Sequence, residues 1–148
     1  MMGVTARPPG AAIGQKGETM RAVGLFIHGG PEVLQVVELP EVHAGPGQVR
    51  IRIHAATVNP TDIMARNGAR AEQQKADPPP YVPGMEAAGI VDEVGSGVPD
   101  RLKLGDAAMA IVVPKGSHGA YREKLCLMPD QSCAPLPIGP ILRRPPCR

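Results

Sequence analysis

Aromatic side chains are almost missing from this sequence. Phe26, Tyr81 and Tyr121 are the whole set in 148 residues, and there is no tryptophan. A nucleic-acid surface needs a basic stripe with aromatic partners for the bases, and neither is present, so nucleic acid is excluded as a partner. Charge of one sign is lacking too: 16 Lys and Arg stand against 14 Asp and Glu, interspersed along the chain. No apolar run approaches the roughly 18 residues of a membrane span, which excludes a membrane partner of that kind. Residues 1–19 hold no apolar segment of the sort a secretory signal needs, and a cytoplasmic location is the expectation. Cysteine is scarce and late. Cys126, Cys133 and Cys147 form no C-x-x-C pair, and an odd count argues against a disulfide framework.

What is present is the punctuation of a β-rich domain. Glycine and proline number 18 each and fall between apolar runs. The length suits one domain with a modest core, which must be built from Val, Ile, Leu, Met and Ala. "RAVGLFIH" (21–28) and "VLQVVEL" (33–39) read as strands closed by Gly29-Gly30-Pro31 and Pro40. "VRIRIHAATV" (49–58) is the clearest strand. Val49, Ile51, Ile53 and Ala55 alternate with Arg50, Arg52 and His54, one buried face against one wet face. Asn59-Pro60 ends it, after which Thr61 can cap a short helix running to Arg66 and stopped by Gly68. "ARAEQQKADPPP" (69–80) is a polar connection with room for one helical turn. "EAAGIVDEVG" (86–95), "AAMAIVV" (107–113) and "GAYREKLCLM" (119–128) complete the strands. The fold class expected is mainly β, a partly open barrel with one or two short helices. No strand–helix alternation supports a doubly wound nucleotide-binding sheet. Residues 1–19 are expected to be a flexible leader and residues 138–148 a disordered Pro/Arg-rich tail, leaving 20–137 as the domain.

Several catalytic patterns fail on their own terms. "GAAIGQKGET" (10–19) has the wrong spacing for a phosphate loop and no strand before it. "VGSGV" (94–98) lacks a third glycine and a following helix, and reads as a hairpin turn. "KGSHGA" (115–120) puts Ser117 beside His118, but sequence neighbours seldom face each other and no G-x-S-x-G elbow exists. Asp106 is expected to stabilise a turn.

Five stretches in register carry a resemblance: "GGPEVLQVVELP", "AGPGQVRIRIHAATVNPTD", "VPGMEAAGIVDEVGSGV", "LGDAAMA" and "GAYREKL". Together they resemble the N-terminal GroES-like domain of medium-chain dehydrogenases/reductases, in the zinc-independent quinone oxidoreductase (zeta-crystallin-like) branch. The resemblance implies a hydride transfer from NADPH to a quinone or enone. It also implies a pocket whose rim runs through Asn59, Asp62, Met64, Arg66 and Met85. Zinc-dependent relatives carry cysteine at the Asn59 position and histidine at the Met85 position. An amide and a thioether are not usual zinc ligands, so no zinc is expected. Met64 stands where this branch commonly has tyrosine, which removes a phenol from that side of the pocket. Plainer roles stay open for each residue: Asn59 as a turn residue before proline, Asp62 as a favourable charge in a first helical turn, Met64 as core filler.

By the same resemblance, a nucleotide-binding domain follows this barrel in complete relatives, and no residue here can take its glycine-rich turn. The expectation is a truncated frame that turns over little by itself. Its uncovered apolar barrel face favours self-association or docking on another chain.

Overall fold

The computed structural model describes residues 17–129 and 133–135. Its strands are β1 (Thr19–Gly24), β2 (Gln35–Pro40), β3 (Val49–Ala56), β4 (Glu86–Val94), β5 (Ala107–Ile111), β6 (Lys124–Leu127) and β7 (Cys133–Pro135). The helices are α1 (Pro60–Asn67) and the single turn α2 (Ala71–Gln74). β1 and β2 form one antiparallel ribbon, and the other five strands form an antiparallel sheet in the order β6-β3-β4-β5-β7. The fold is mainly β with two short helices and sheets that do not close, as the pattern of strands and turns implied. Most of the leader, and the tail, lie outside the described residues.

The chain between the two sheets is stitched by Tyr121–Glu123. Val23 N–H donates to the Tyr121 carbonyl at 2.7 Å, Glu123 N–H to Arg21 O at 3.0 Å, and Ile53 N–H to Glu123 O at 2.8 Å. One strip of backbone therefore ties β1 to β3, and the sheets share a common end. Two apolar clusters fill the interior. Val49, Ile51, Val91, Leu102, Val112 and Leu125 make up the heart of the first, and Met20, Val37, Leu39 and Val82 that of the second. Both are aliphatic: Phe26 is half exposed, and neither tyrosine is fully buried.

Several elements differ from the sequence reading. The first strand ends at Gly24 and Leu25 makes only an isolated bridge to Tyr81, so Phe26 to His28 are not strand. β7 was not foreseen; it is three residues long, too short for periodicity to register. "VGSGV" does turn, with Gly97 at φ 76°, but β5 begins only at Ala107, so it opens a long connection and not a tight hairpin. Asp106 closes a turn as expected, accepting from Lys103 N–H at 2.8 Å.

The two-faced reading of β3 holds for Val49 and Ile51 and then breaks. The register with β4 slips between Ile53 and Ala55, a bulge at His54 that reverses the parity of the strand. Ala55 consequently pairs with Ala88 on the outer face and is exposed. Arg50 is not wet either: its side chain is 11% exposed and lies 2.8 Å from Asp92, 2.8 Å from Glu93 and 3.1 Å from Glu41. Burial works against its charge, but these carboxylates outweigh burial and raise its pKa. Lys124 joins the same cluster through Glu41. Arg122 is the contrast. It is buried, its Nε has no partner among the described residues, and burial lowers its pKa.

Candidate functional site

α1 begins where β3 runs into proline. Asn59 is extended (φ −112°, ψ 158°) and caps the helix, with Pro60 at its first turn and Gly68 ending it in the left-handed region at φ 89°. The cap is Asn59 and not Thr61. Proline explains the shift of two residues: it lacks an N–H and is pre-set for the first helical position, which makes its predecessor the cap.

Asp62 holds this corner together. It is 5% exposed, and its carboxylate accepts from Asn59 N–H at 2.8 Å, the reach-back of a capping box. The other oxygen accepts from Gly84 N–H at 2.8 Å, twenty-two residues along. Tyr121 Oη lies 3.4 Å from the first oxygen and donates to the Thr57 carbonyl at 3.1 Å. Burial, and then the Asp62 charge, push the Tyr121 phenol up to about 12. Gly84 sits at φ 107°, and a Cβ there would meet Ala120 N at 2.8 Å, so a side chain is excluded by backbone and neighbour together.

The remaining rim residues hang on this knot. Asn59 Nδ2 donates to Thr57 Oγ1 at 2.9 Å, and the Thr57 hydroxyl donates to Glu86 at 2.6 Å. Arg66, in the last turn of α1, reaches Gly29 O at 3.3 Å. Met64 is 40% exposed on the open side of α1. Met85 is half buried just before β4, its carbonyl accepting from Val112 N–H at 2.7 Å. Asn59 and Asp62 are thus brought into one hydrogen-bonded corner, Met64 and Arg66 lie further along the same helix, and Met85 follows Gly84. Thr57, Gly84 and Tyr121 were not singled out from sequence as parts of this corner. Tyr121, one of two tyrosines, carried the only usable signal. Ser117 and His118 form no catalytic pair: Lys115 and His118 exchange backbone hydrogen bonds in a tight turn.

Beside the corner lies a cavity of about 340 Å³ between α1, α2 and the 113–116 loop. A smaller one of about 100 Å³ lies against Val58, Ile63, Arg66 and Tyr121. No three His, Cys, Asp or Glu side chains are grouped as a metal site among the described residues. No helix among them is long and apolar enough to cross a membrane.

An antiparallel sheet and a ribbon tied together through Tyr121–Glu123, with a proline-capped helix at the rim, make a partly open GroES-like β domain. Residues 45–138 match the alcohol dehydrogenase GroES-like domain, and the chain belongs to that family. It is 37% identical over 131 residues to the quinone oxidoreductase of Rattus norvegicus, covering 85% of this chain and 36% of the relative. With quinone oxidoreductase 1 of Escherichia coli it shares 36% over 108 residues, 71% of this chain and 30% of the relative. The structure of the quinone oxidoreductase from Coxiella burnetii superimposes with a TM-score of 0.71 at 33% identity, over 80% of this chain and 37% of that one. The Escherichia coli quinone oxidoreductase complexed with NADPH gives 0.63 at 32%, over 79% and 33%. The chain spans about a third of the length of these relatives. Within the medium-chain dehydrogenase/reductase superfamily it is similar to the N-terminal part of quinone oxidoreductases.

Asp62→Asn preserves the shape of the side chain but leaves two backbone N–H groups competing for a single acceptor oxygen. We expect a loss of about 2 kcal/mol in urea unfolding, against about 1 kcal/mol for Tyr121→Phe. Ultraviolet titration should find a tyrosine ionising near 12 in the parent chain and at a lower pH in Asp62→Asn, still above the ordinary range because burial, the larger cause, remains.

Proposed function

We propose that this chain is the acceptor-binding side of a zinc-independent, NADPH-dependent quinone oxidoreductase, and that alone it does not sustain hydride transfer. The observation that carries this reading is the rim from Thr57 to Arg66. Asn59 offers an amide already engaged with Thr57, Met85 offers a thioether, and the Asp62 carboxylate is spent on backbone amides. That donor set does not suit a catalytic zinc, which takes three N, S or O ligands and an open position. With no Lewis acid to polarise a carbonyl, the acceptor must take hydride readily, as quinones and enones do. Asn59 and Arg66 face the acceptor and the nicotinamide, Met64 and Met85 wall the pocket, and Asp62 braces it.

The NADPH-bound Escherichia coli relative supports NADPH as the coenzyme of the complete enzyme. The residues here do not fit its diphosphate. A helix start that takes phosphate must present free amides, whereas α1 starts at Pro60 and has its own Asp62 carboxylate folded back onto the cap. The other helix is one turn long. Titration of a small neutral quinone into the isotope-labelled chain should shift the amide resonances of Thr57, Asn59, Met64 and Arg66. Shifts confined to the opposite end of the sheet contradict the assignment.

A second reading has its own observation. Met109 and Ile111 project from β5 with exposures of 50% and 61%, beside Ala55 and Ala88. We infer self-association through this outer face, since apolar patches of this kind mark contact surfaces. Sedimentation should show mass rising with concentration, and Ile111→Lys should reduce it. A monomer at every concentration rejects this reading.

A further inference from the structure

We propose that Thr57 and Glu86 are positioning residues: they orient the Asn59 amide so that its remaining N–H donates to a carbonyl oxygen of the acceptor. The inference rests on the quinone reading above and gives a direction to the contact assigned there to Asn59.

The direction follows from where the hydrogens go. A threonine hydroxyl carries one hydrogen, and Thr57 gives it to the Glu86 carboxylate at 2.6 Å. A carboxylate offers lone pairs only, so that bond runs one way. The Thr57 oxygen is left with lone pairs alone, and a group that approaches it must donate. Asn59 approaches it at 2.9 Å, so the NH2 end of the amide faces Thr57. The amide oxygen is thereby turned to the first turn of α1, in keeping with the capping box. Nδ2 carries two hydrogens and Thr57 accepts one of them. The second has no partner among the described residues, and Asn59 is only partly buried, so a ligand can reach it.

The bond to Glu86 is short and charge-assisted, which makes it a firmer anchor than a neutral pair. Its place in the sheet matters as well. Ala55 lies opposite Ala88, Ala88 opposite Met109, and Glu86 opposite Ile111. Thr57 and Glu86 therefore form the polar end of a cleft of about 320 Å³ that is otherwise walled by alanines, Met109 and Ile111. A flat apolar ring suits that wall. Quinone and enone oxygens accept hydrogen bonds and cannot donate them, so only this setting of the amide gives a bond. As hydride reaches the ring, negative charge gathers on the same oxygen, and a donor already fixed there stabilises it further.

The test follows duroquinone binding to the isotope-labelled 148-residue chain by nuclear magnetic resonance. Every ring position of this quinone is substituted, which keeps thiols such as Cys126 from adding to it. In the parent, one of the two Asn59 Nδ2 protons should move downfield as quinone is added. Thr57→Val keeps the shape of the side chain and removes the hydroxyl. It should abolish that proton shift and weaken binding about fivefold, the worth of one neutral hydrogen bond. Thr57→Ser should keep both. Glu86→Ala releases the hydroxyl hydrogen toward Asn59 and should also weaken binding, and it carries the test if the amide spectrum shows that the valine variant has not folded. Rim shifts in the parent with equal affinity in these two variants overturn the positioning role and leave the quinone reading standing. Loss of binding in the serine variant overturns it too. Absence of any quinone-induced shift at the rim of the parent overturns both.

Discussion

The Asp62 carboxylate is the constraint from which the rest of this corner follows. It is buried, and an anion in that position is tolerable only if its oxygens are satisfied. Asn59 N–H and Gly84 N–H do that, and the Tyr121 hydroxyl, bonded to the Thr57 carbonyl, stands 3.4 Å from one of the oxygens; the three come from separated stretches of the chain. Satisfying one side chain therefore fixes the cap of α1, the approach to β4, and the strip that binds β1 to β3. Gly84 has to be glycine for the same reason: its φ of 107° and the close approach of Ala120 leave no space for a side chain. The rim residues inherit their positions from this knot.

Charge is managed differently elsewhere in the molecule. Arg50 is nearly as buried, but Glu41, Asp92 and Glu93 surround it, so the cost of desolvation is returned by several short contacts. Arg122 has only the Ser117 carbonyl at 3.1 Å and the Met20 sulfur at 4.0 Å. Its Nε has no partner among the described residues, so burial of Arg122 is compensated less completely than that of Arg50. The sheet instead owes its cohesion to aliphatic packing of Val49, Ile51, Val91 and Val112, with alanines on β4 and β5 allowing close approach.

Much of the fold was legible because it depends on local chemistry. Alternating residues announced β3, prolines and glycines announced its end and the end of α1, and Asp106 announced its turn. What stayed hidden was non-local. The bulge at His54 is set by pairing with β4, and it alone decides that Ala55 faces out. The neutralisation of Arg50 needs Asp92 and Glu93, forty residues away, so periodicity could only read it as wet. The site divides the same way. Asn59, Met85 and their neighbours could be placed by resemblance, since motif positions travel with sequence. Thr57 as the partner of Glu86, and Tyr121 as the partner of Asp62, are contacts made only by folding.

Hydride transfer between a nicotinamide and a quinone needs one surface that shapes the acceptor and another that grips the dinucleotide. We propose that the residues of this chain build the first. Among the described residues the one full helix is closed to phosphate by Pro60 and by the Asp62 carboxylate, and no glycine-rich strand–turn–helix is present. The most direct measurement is calorimetric titration of NADPH into the purified 148-residue chain. The account predicts no saturable binding up to about 1 mM, the affinity range of a few weak contacts. A dissociation constant of about a micromolar or tighter would contradict it.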